Sequence, residues 1–103
     1  SCEVGERLAD GLLFDREGGE HHLSDYLGKY ILLDFWSQGC GPCVQSLPEM
    51  EEITEMYKGR MEVISISQDP KDEWKKFIAE KQLKVTNGMN SAKEAPNSEP
   101  AVK

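Results

Sequence analysis

At residues 33–43 the chain reads Leu33-Asp34-Phe35-Trp36-Ser37-Gln38-Gly39-Cys40-Gly41-Pro42-Cys43, a segment in which an apolar run leads into two cysteines. The longer run Tyr30–Trp36 is nearly continuous in apolar and aromatic residues, which is typical of a strand buried on both faces of a parallel sheet. Apolar side chains then recur at helical spacing between residues 44 and 57, which predicts an amphipathic helix ending at Gly59. The two cysteines therefore lie where a buried strand gives way to a helix.

The flanking segments extend this pattern. Short apolar runs on either side of a glycine-containing turn at residues 15–19 predict a β-hairpin, and Ser24 is predicted to cap a single helical turn that ends at Gly28. Further along, Met61–Ser67 predicts a second long strand, and Asp69-Pro70 indicates the start of a second long helix at residues 71–82. The order β-α-β-α favours an α/β fold with a parallel strand pair.

The composition is that of one small, acidic domain. The chain has 103 residues, 38% of them hydrophobic, and a formal charge of −7. This charge argues against nucleic acid and against an anionic membrane surface as partners, because both attract basic residues. Apolar runs such as Ile31–Leu33 are far shorter than the ~20 residues of a spanning helix, and no signal-peptide pattern opens the chain. We expect no transmembrane segment. If the protein is exported, we expect that its targeting signal was removed or left out of this sequence.

Apolar residues are distributed unevenly. All aromatic residues precede position 78, and the segment 87–103 has only Met89 and Val102 as sizeable apolar groups. Such a segment buries too little apolar surface to offset the entropy lost on ordering. We therefore predict a folded domain at residues 4–86 and a polar loop or disordered tail at residues 87–103.

The cysteine pair has the spacing of a redox motif. Cys40 falls at or just before the start of a helix, where unpaired backbone N–H groups and the helix dipole stabilise a thiolate. Cysteines in such motifs have pKa values of ~3.5–7.5 instead of ~8.5, so Cys40 is the predicted nucleophile. Cys43, about one helical turn on, is placed to attack the resulting mixed disulfide. Pro42 occupies an early helical position where its missing N–H costs little.

A zinc site is the alternative interpretation of the same spacing. Paired cysteines also begin many zinc sites, and Cys2 with His21 and His22 could in principle complete four ligands. No second cysteine pair is present, and the spacing of these residues matches no zinc motif. Redox chemistry is the favoured interpretation, with no metal and no cofactor.

The segment 33–43 strongly resembles the motif of thioredoxin-fold oxidoreductases, which reads like D-F-W-x-x-W-C-G-P-C. Upstream, Val4-Gly5-Glu6, the segment 14–18 and the segment 23–30 are similar to the TlpA/ResA-like bacterial branch, in which an extra N-terminal β-hairpin precedes the buried strand. The resemblance covers residues 4 to about 86 and implies an α/β, thioredoxin-like fold with that added hairpin.

The resemblance also implies roles by position. Cys40 matches the attacking cysteine, Cys43 the resolving cysteine and Asp34 the buried acid that accepts a proton from it. Desolvation inside an apolar strand would raise the pKa of such a carboxyl, whereas a strand-end aspartate facing solvent is the alternative. Trp36 resembles the aromatic that shields the disulfide, with core packing as the alternative, and Pro48 resembles a structural, helix-kinking proline. The motif positions assigned to the substrate groove are Trp36, Gly41 and Pro42.

The sequence departs from the family pattern at several positions. Gly39 replaces the usual tryptophan before the first cysteine, and Ser46 replaces a glutamate that TlpA-like proteins often carry. The family also has a cis-proline before a further strand, a hairpin and a final helix. Here the late prolines are in Ala95-Pro96 and Glu99-Pro100, and neither precedes an apolar strand. We therefore expect a fold that is C-terminally incomplete, with a mobile segment from Asn87 and weakened activity.

The function implied is thiol–disulfide exchange with protein substrates and a redox partner protein, of reductase type. The resemblance places such a protein in the bacterial periplasm or cell envelope, with the cytoplasm as the alternative. Cys2 is a candidate for lipid or linker attachment. Two other functions stay open: a degenerate or truncated binding module with little turnover, and a metal-binding thiol protein.

Overall fold

The computed structural model describes residues 11–91. Its strands and helices follow the chain as β1 (Leu12–Phe14), β2 (Glu20–His22), a 3-10 turn (Leu23–Tyr26), β3 (Tyr30–Trp36), α1 (Gly41–Gln45), α2 (Leu47–Met56), β4 (Met61–Ser67), α3 (Lys71–Lys81) and β5 (Gly88–Asn90). None of the helices in this part of the chain is long and apolar enough to span a membrane. The predicted hairpin, both long strands and the second long helix are confirmed.

The strands form one mixed sheet in the order β2-β1-β5-β4-β3. Strands β3, β4 and β5 run parallel, whereas β1 is antiparallel to both β2 and β5. The pairing of β3 with β4 is the longest, from Tyr30 opposite Met61 to Trp36 opposite Ser67. The predicted α/β class and the parallel strand pair are therefore confirmed.

The core lies in two layers, one on each face of the sheet, because side chains of a strand alternate between faces. One layer joins the strand β3 to the helices; its buried members are Trp36, Leu47, Trp74, Ile78 and Val85. The other layer packs against the hairpin and the 3-10 turn; its buried members are Leu13, Ile64, Ile66 and Met89. Ile31 and Leu33 pack against the second layer, so Trp36 and Asp34 share the opposite, helix-covered face of β3.

Strand β3 differs from the expectation of burial on both faces. Tyr30 is 80% exposed and Phe35 is 49% exposed, and only Trp36 of this strand is fully buried. The reason is topological: within residues 11–91, β3 lies at the end of the sheet and pairs with β4 alone. The apolar run correctly predicted a strand, but not which of its sides other elements cover.

The interpretation of residues 87–103 as a tail is wrong for Gly88–Asn90, which form the buried strand β5 between β1 and β4. Glycine and asparagine have low strand propensity, but tertiary contacts override it here. Met89 packs in the core, and the side-chain amide of Asn90 donates to the backbone oxygens of Ser67 and Asp69 at 3.2 and 2.8 Å. The domain boundary drawn at residue 86 thus falls inside the folded unit, while residues 92–103 lie outside the described part.

The single amphipathic helix predicted after the cysteines is divided into α1 and α2 at Ser46. Pro48 explains the break, because a proline has no N–H to donate to the carbonyl of Val44 in a continuous helix. It is tolerated in the first turn of α2, where backbone N–H groups lack helical partners. The structural role implied for Pro48 agrees with this placement.

The 3-10 turn begins earlier than predicted, since its cap is His22 and not Ser24. The Asp25 carboxylate accepts a hydrogen bond from the His22 N–H at 2.9 Å, which fixes the start of the turn. The chain then passes through Gly28, whose φ of +88° is the left-handed conformation that favours glycine.

The outer edge of β3 leads to a testable expectation. In a parallel sheet alternate residues direct their N–H groups to opposite neighbours, so amides of β3 facing β4 should exchange with solvent at least about tenfold more slowly than the others. Amide hydrogen exchange resolved by residue provides the measurement. Strand β4, which is paired on both sides, is the matched control. Strong protection of every β3 amide in a monomer would show that another segment covers this edge.

Candidate active site

The two cysteines of the motif lie at the carboxyl end of β3, joined by a disulfide between Cys40 and Cys43 with Cα atoms 5.2 Å apart. Cys40 is the cap residue of α1, and Gly41 and Pro42 fill its first two positions. The backbone N–H of Cys43 points at the Cys40 sulfur, with a nitrogen–sulfur distance of 3.3 Å. A negative charge on Cys40 would therefore meet a hydrogen-bond donor already in place.

The approach to the disulfide is open. Gly39, Gly41 and Pro42 are exposed, and a side chain built at either glycine would meet no atom within 4 Å. Close packing therefore does not require glycine at these two positions. The absence of side chains there leaves the backbone beside Cys40 accessible to a partner, which fits the groove positions implied for Gly41 and Pro42.

The two sulfur-bearing residues differ more in their surroundings than in their exposure. Both are half-buried, so burial alone does not separate an accessible from a hidden cysteine. Cys43 packs against the core layer that contains Trp36 and Leu47. Cys40 receives the amide hydrogen bond described above. This asymmetry matches the assignment of Cys40 as nucleophile and Cys43 as resolving residue, which remains a prediction.

Trp36 lies in the interior. It is 1% exposed, belongs to the same core layer as Cys43, and its ring centroid is 6.1 Å from that of Phe77. A side chain this deeply buried does not line a substrate groove, so that part of the assignment is corrected. Core packing, the alternative considered from the sequence, describes Trp36 in this structure.

Asp34 lies on the helix-covered face of β3, opposite the buried Ser65 of β4. Its Oδ2 atom is buried and has no hydrogen-bond partner among the described residues. Desolvation by burial raises the pKa of the Asp34 carboxyl above its ordinary value. The solvent-facing alternative is therefore wrong for this carboxyl oxygen, and the environment is that of a proton acceptor able to hold a proton at higher pH than an exposed aspartate.

Pro48 and Ser46 lie at the break between the two helices. Together with Pro42 they line a shallow groove of about 430 Å³, whose other lining residues are Gln45, Glu49 and Glu52. The Ser46 hydroxyl donates to the carbonyl of Cys43 at 2.9 Å. A serine here therefore supports the backbone of the cysteine turn but supplies no acid–base group.

The two adjacent histidines belong to the hairpin. His21 Nε2 lies 2.7 Å from the Asp15 carboxylate, and this hydrogen bond, followed by one from the Gly19 amide, lowers the pKa of Asp15. Across residues 11–91, no three or more His, Cys, Asp or Glu side chains come together in a group that could hold a metal ion. Cys2, the third cysteine considered as a ligand, falls outside that range.

One group of residues near the site was not predicted from the sequence. The loop before Cys40 is hydrogen-bonded to the loop that follows β4, where Asp69 accepts the backbone N–H of Gln38 at 2.8 Å. The Gln38 side chain also donates to Glu73 at 2.9 Å. The sequence signal available was Asp69-Pro70, which we interpreted only as the start of a helix.

Residues 11–91 form a five-stranded mixed sheet with a Cys-Gly-Pro-Cys turn at the carboxyl end of a parallel strand, and this arrangement defines a thioredoxin-like protein. The chain belongs to the AhpC/TSA family, whose sequence model matches residues 4–95. The presence of this family match through residue 95 agrees with the inclusion of β5 in the fold.

Similar proteins and solved structures have descriptions that fit this class. The chain is 34% identical over 99 residues to the thiol-disulfide oxidoreductase ResA of Geobacillus kaustophilus, covering 84% of this chain and 57% of the relative. A Bacteroides vulgatus crystal structure described as a thiol-disulfide oxidoreductase superposes with a TM-score of 0.78 at 29% identity, covering 84% of this chain and 62% of that one. The exposed lipoprotein thioredoxin Etrx1 of Streptococcus pneumoniae gives 0.68 at 26% identity, covering 86% and 69%. The chain spans about half the length of the curated relatives it matches.

Proposed function

We propose that this chain performs thiol–disulfide exchange with protein substrates through Cys40 and Cys43. The observation that carries the proposal is the disulfide at the start of α1, with the Cys43 amide 3.3 Å from the Cys40 sulfur. A donor fixed at that position stabilises the thiolate that must attack, and also the thiolate that must leave when the bond is broken again.

In the reducing direction the exchange has two steps. The Cys40 thiolate attacks one sulfur of the partner's disulfide, which forms a mixed disulfide and releases the partner's other sulfur as a thiolate. Cys43, after losing its proton, attacks the Cys40 sulfur, so the mixed disulfide breaks and the second partner sulfur leaves. The partner gains two electrons, and the Cys40–Cys43 disulfide is the oxidised product.

The direction in the cell is proposed to be reductive. Gly-Pro between the cysteines resembles thioredoxin, so we expect a reduction potential nearer about −270 mV than −120 mV. A second, redox partner protein would then return electrons to Cys40–Cys43. The description of Etrx1 as an exposed lipoprotein thioredoxin supports an extracytoplasmic, envelope-associated place for this chemistry. Electron transport is the proposed context.

A binding module with little turnover is the second candidate, and the exposed edge of β3 favours it. Within residues 11–91 no strand pairs with that edge, so no described backbone holds a substrate segment beside Cys40. The late prolines, at positions 96 and 100, lie outside these residues. An insulin-reduction turnover assay separates the two candidates, because a module that only binds forms at most one mixed disulfide per chain.

Selective alkylation tests the proposed roles. In the reduced chain, iodoacetamide at pH 6 should modify Cys40 at least about tenfold faster than Cys43 or Cys2, because the Cys40 sulfur accepts from the Cys43 amide and lies at the helix N-terminus. Mass mapping of the modified peptides gives the three rates. The urea-unfolded chain is the control, where the rates should converge. Equal rates in the folded chain would contradict the assignment of Cys40.

A further inference from the structure

The short loop between β3 and α1 carries Cys40, and the loop that follows β4 holds it by hydrogen bonds. Within the loop, the Cys40 N–H donates to the carbonyl of Ser37 at 3.0 Å. At its start, the Gln68 N–H donates to the carbonyl of Trp36 at 2.9 Å. Between these two bonds, the Gln38 N–H donates to Asp69 Oδ2 at 2.8 Å. The Asp69 side chain is therefore the group that binds the middle of the loop.

Asp69 is itself fixed by buried neighbours. It is 9% exposed, and its own N–H donates to Ser67 Oγ at 3.1 Å. The Asn90 side-chain amide donates to the Asp69 carbonyl at 2.8 Å, and Asn90 is fully buried. A series of hydrogen bonds thus runs from β5, through the loop after β4, to the peptide two positions before Cys40.

We infer that Asp69, held by Asn90, is a positioning residue for the proposed exchange reaction: it fixes the loop so that the Cys40 sulfur meets the Cys43 amide. The inference rests on the proposed function. Cys40 acts as a cap with a β-type backbone conformation, φ −103° and ψ 94°, and this conformation determines where its sulfur points. A loop released from Asp69 samples other conformations, so the 3.3 Å contact is made for a smaller fraction of the time.

A positioning role and a direct electrostatic effect of Asp69 predict opposite changes in the alkylation rate of Cys40. If its negative charge acted directly on Cys40, removing that charge would favour the thiolate and speed alkylation in both the Ala and the Asn variant. If the hydrogen bond to Gln38 is what matters, Asp69→Asn keeps an acceptor oxygen and should behave like the parent chain. Asp69→Ala removes the acceptor and should lower the thiolate fraction.

The experiment measures the rate of Cys40 alkylation by iodoacetamide in the reduced chain, from pH 5 to pH 9. We expect Asp69→Ala to slow the reaction at pH 6 roughly fivefold and to move its pH profile upward, and Asp69→Asn to remain within about twofold of the parent. One control should leave the profile unchanged: Asp72→Ala removes an exposed carboxylate from the first turn of α3.

The outcomes separate this inference from the proposed function. A parent-like rate in Asp69→Ala, or faster alkylation in both Asp69 variants, overturns the positioning role while leaving exchange by Cys40 intact. Loss of selective Cys40 reactivity in the parent chain itself is a failure of the proposed function. If Asp69→Ala does not fold, amide hydrogen exchange of Gln38 is the deciding measurement. The inference requires that this amide is protected in the parent and in Asp69→Asn. Exchange at the rate of an unprotected amide in either of these two chains overturns the inference.

Discussion

Replacing Cys43 with serine is expected to stop exchange after its first step and to leave the partner attached to Cys40 as a mixed disulfide. Cys43 is one helical turn from Cys40, so its attack is intramolecular, and effective molarities for well-oriented reactions reach about 10⁵–10⁸ M. An external thiol at millimolar concentration does not replace such a neighbour. We expect turnover in insulin reduction to fall by at least about 1,000-fold.

The trapped species gives a direct measurement. Non-reducing electrophoresis and intact mass should show one partner chain per Cys43→Ser molecule, released by dithiothreitol. Cys40→Ser is the matched control and should form no adduct. Both variants are best made in a Cys2→Ser background, which removes the third thiol. An adduct in Cys40→Ser together with none in Cys43→Ser would mean that the two roles are reversed.

Asp34→Asn is expected to slow the second step about 100-fold and to leave the first step nearly unchanged. The carboxyl lies on the same face of β3 as the core layer that Cys43 packs against, and its Oδ2 atom has no partner within residues 11–91. A carboxylate there can take the proton that Cys43 must lose, whereas an amide cannot. Stopped-flow measurement of mixed-disulfide formation and decay separates the two steps.

The pH dependence of the same variant gives a second readout. Burial raises the pKa of Asp34, so in the parent the carboxylate forms, and the second step accelerates, as pH rises through that elevated value. In Asp34→Asn this acceleration should be absent. Wild-type rates for both steps across this pH range would exclude a catalytic role for Asp34.

Stability should change in the opposite sense to activity. An acid whose pKa is raised in the folded state binds its proton more tightly folded than unfolded, so its contribution to stability falls as pH rises above about 3.9. Asp34→Asn removes this loss. The variant should therefore unfold at a higher denaturant concentration than the parent at neutral pH. This result would show that slower exchange is not caused by unfolding.

The elements with strong periodicity were predictable from the sequence alone. Met61–Ser67 and the helix from Lys71 have the patterns of a buried strand and an amphipathic helix, and the structure has them at those residues. The cysteine motif was predictable for a similar reason, because Gly and Pro between two cysteines after an apolar run form a local signal. These features depend on neighbours in the chain.

The features that sequence analysis missed depend on distant partners. Gly88–Asn90 has almost no strand propensity, and its place in the sheet comes from β1 and β4. Gln38 and Asp69 are separated by 31 positions, and nothing in either residue type indicates their hydrogen bond. Trp36 belonged to a recognisable motif, but whether it lines a groove or the core depends on how helices α1–α3 pack over the sheet.

The central position of β5 divides the molecule into two parts that we expect to differ in their resistance to local unfolding. Hydrogen bonding between the hairpin and the long parallel strands passes through this three-residue strand, with Phe14 opposite Asn90 on one side and Ser65–Ser67 on the other. A two-stranded hairpin alone is marginally stable in water. We therefore expect the hairpin and β5 to open together at a lower free energy than global unfolding, while β3, β4 and the disulfide-bearing turn stay assembled.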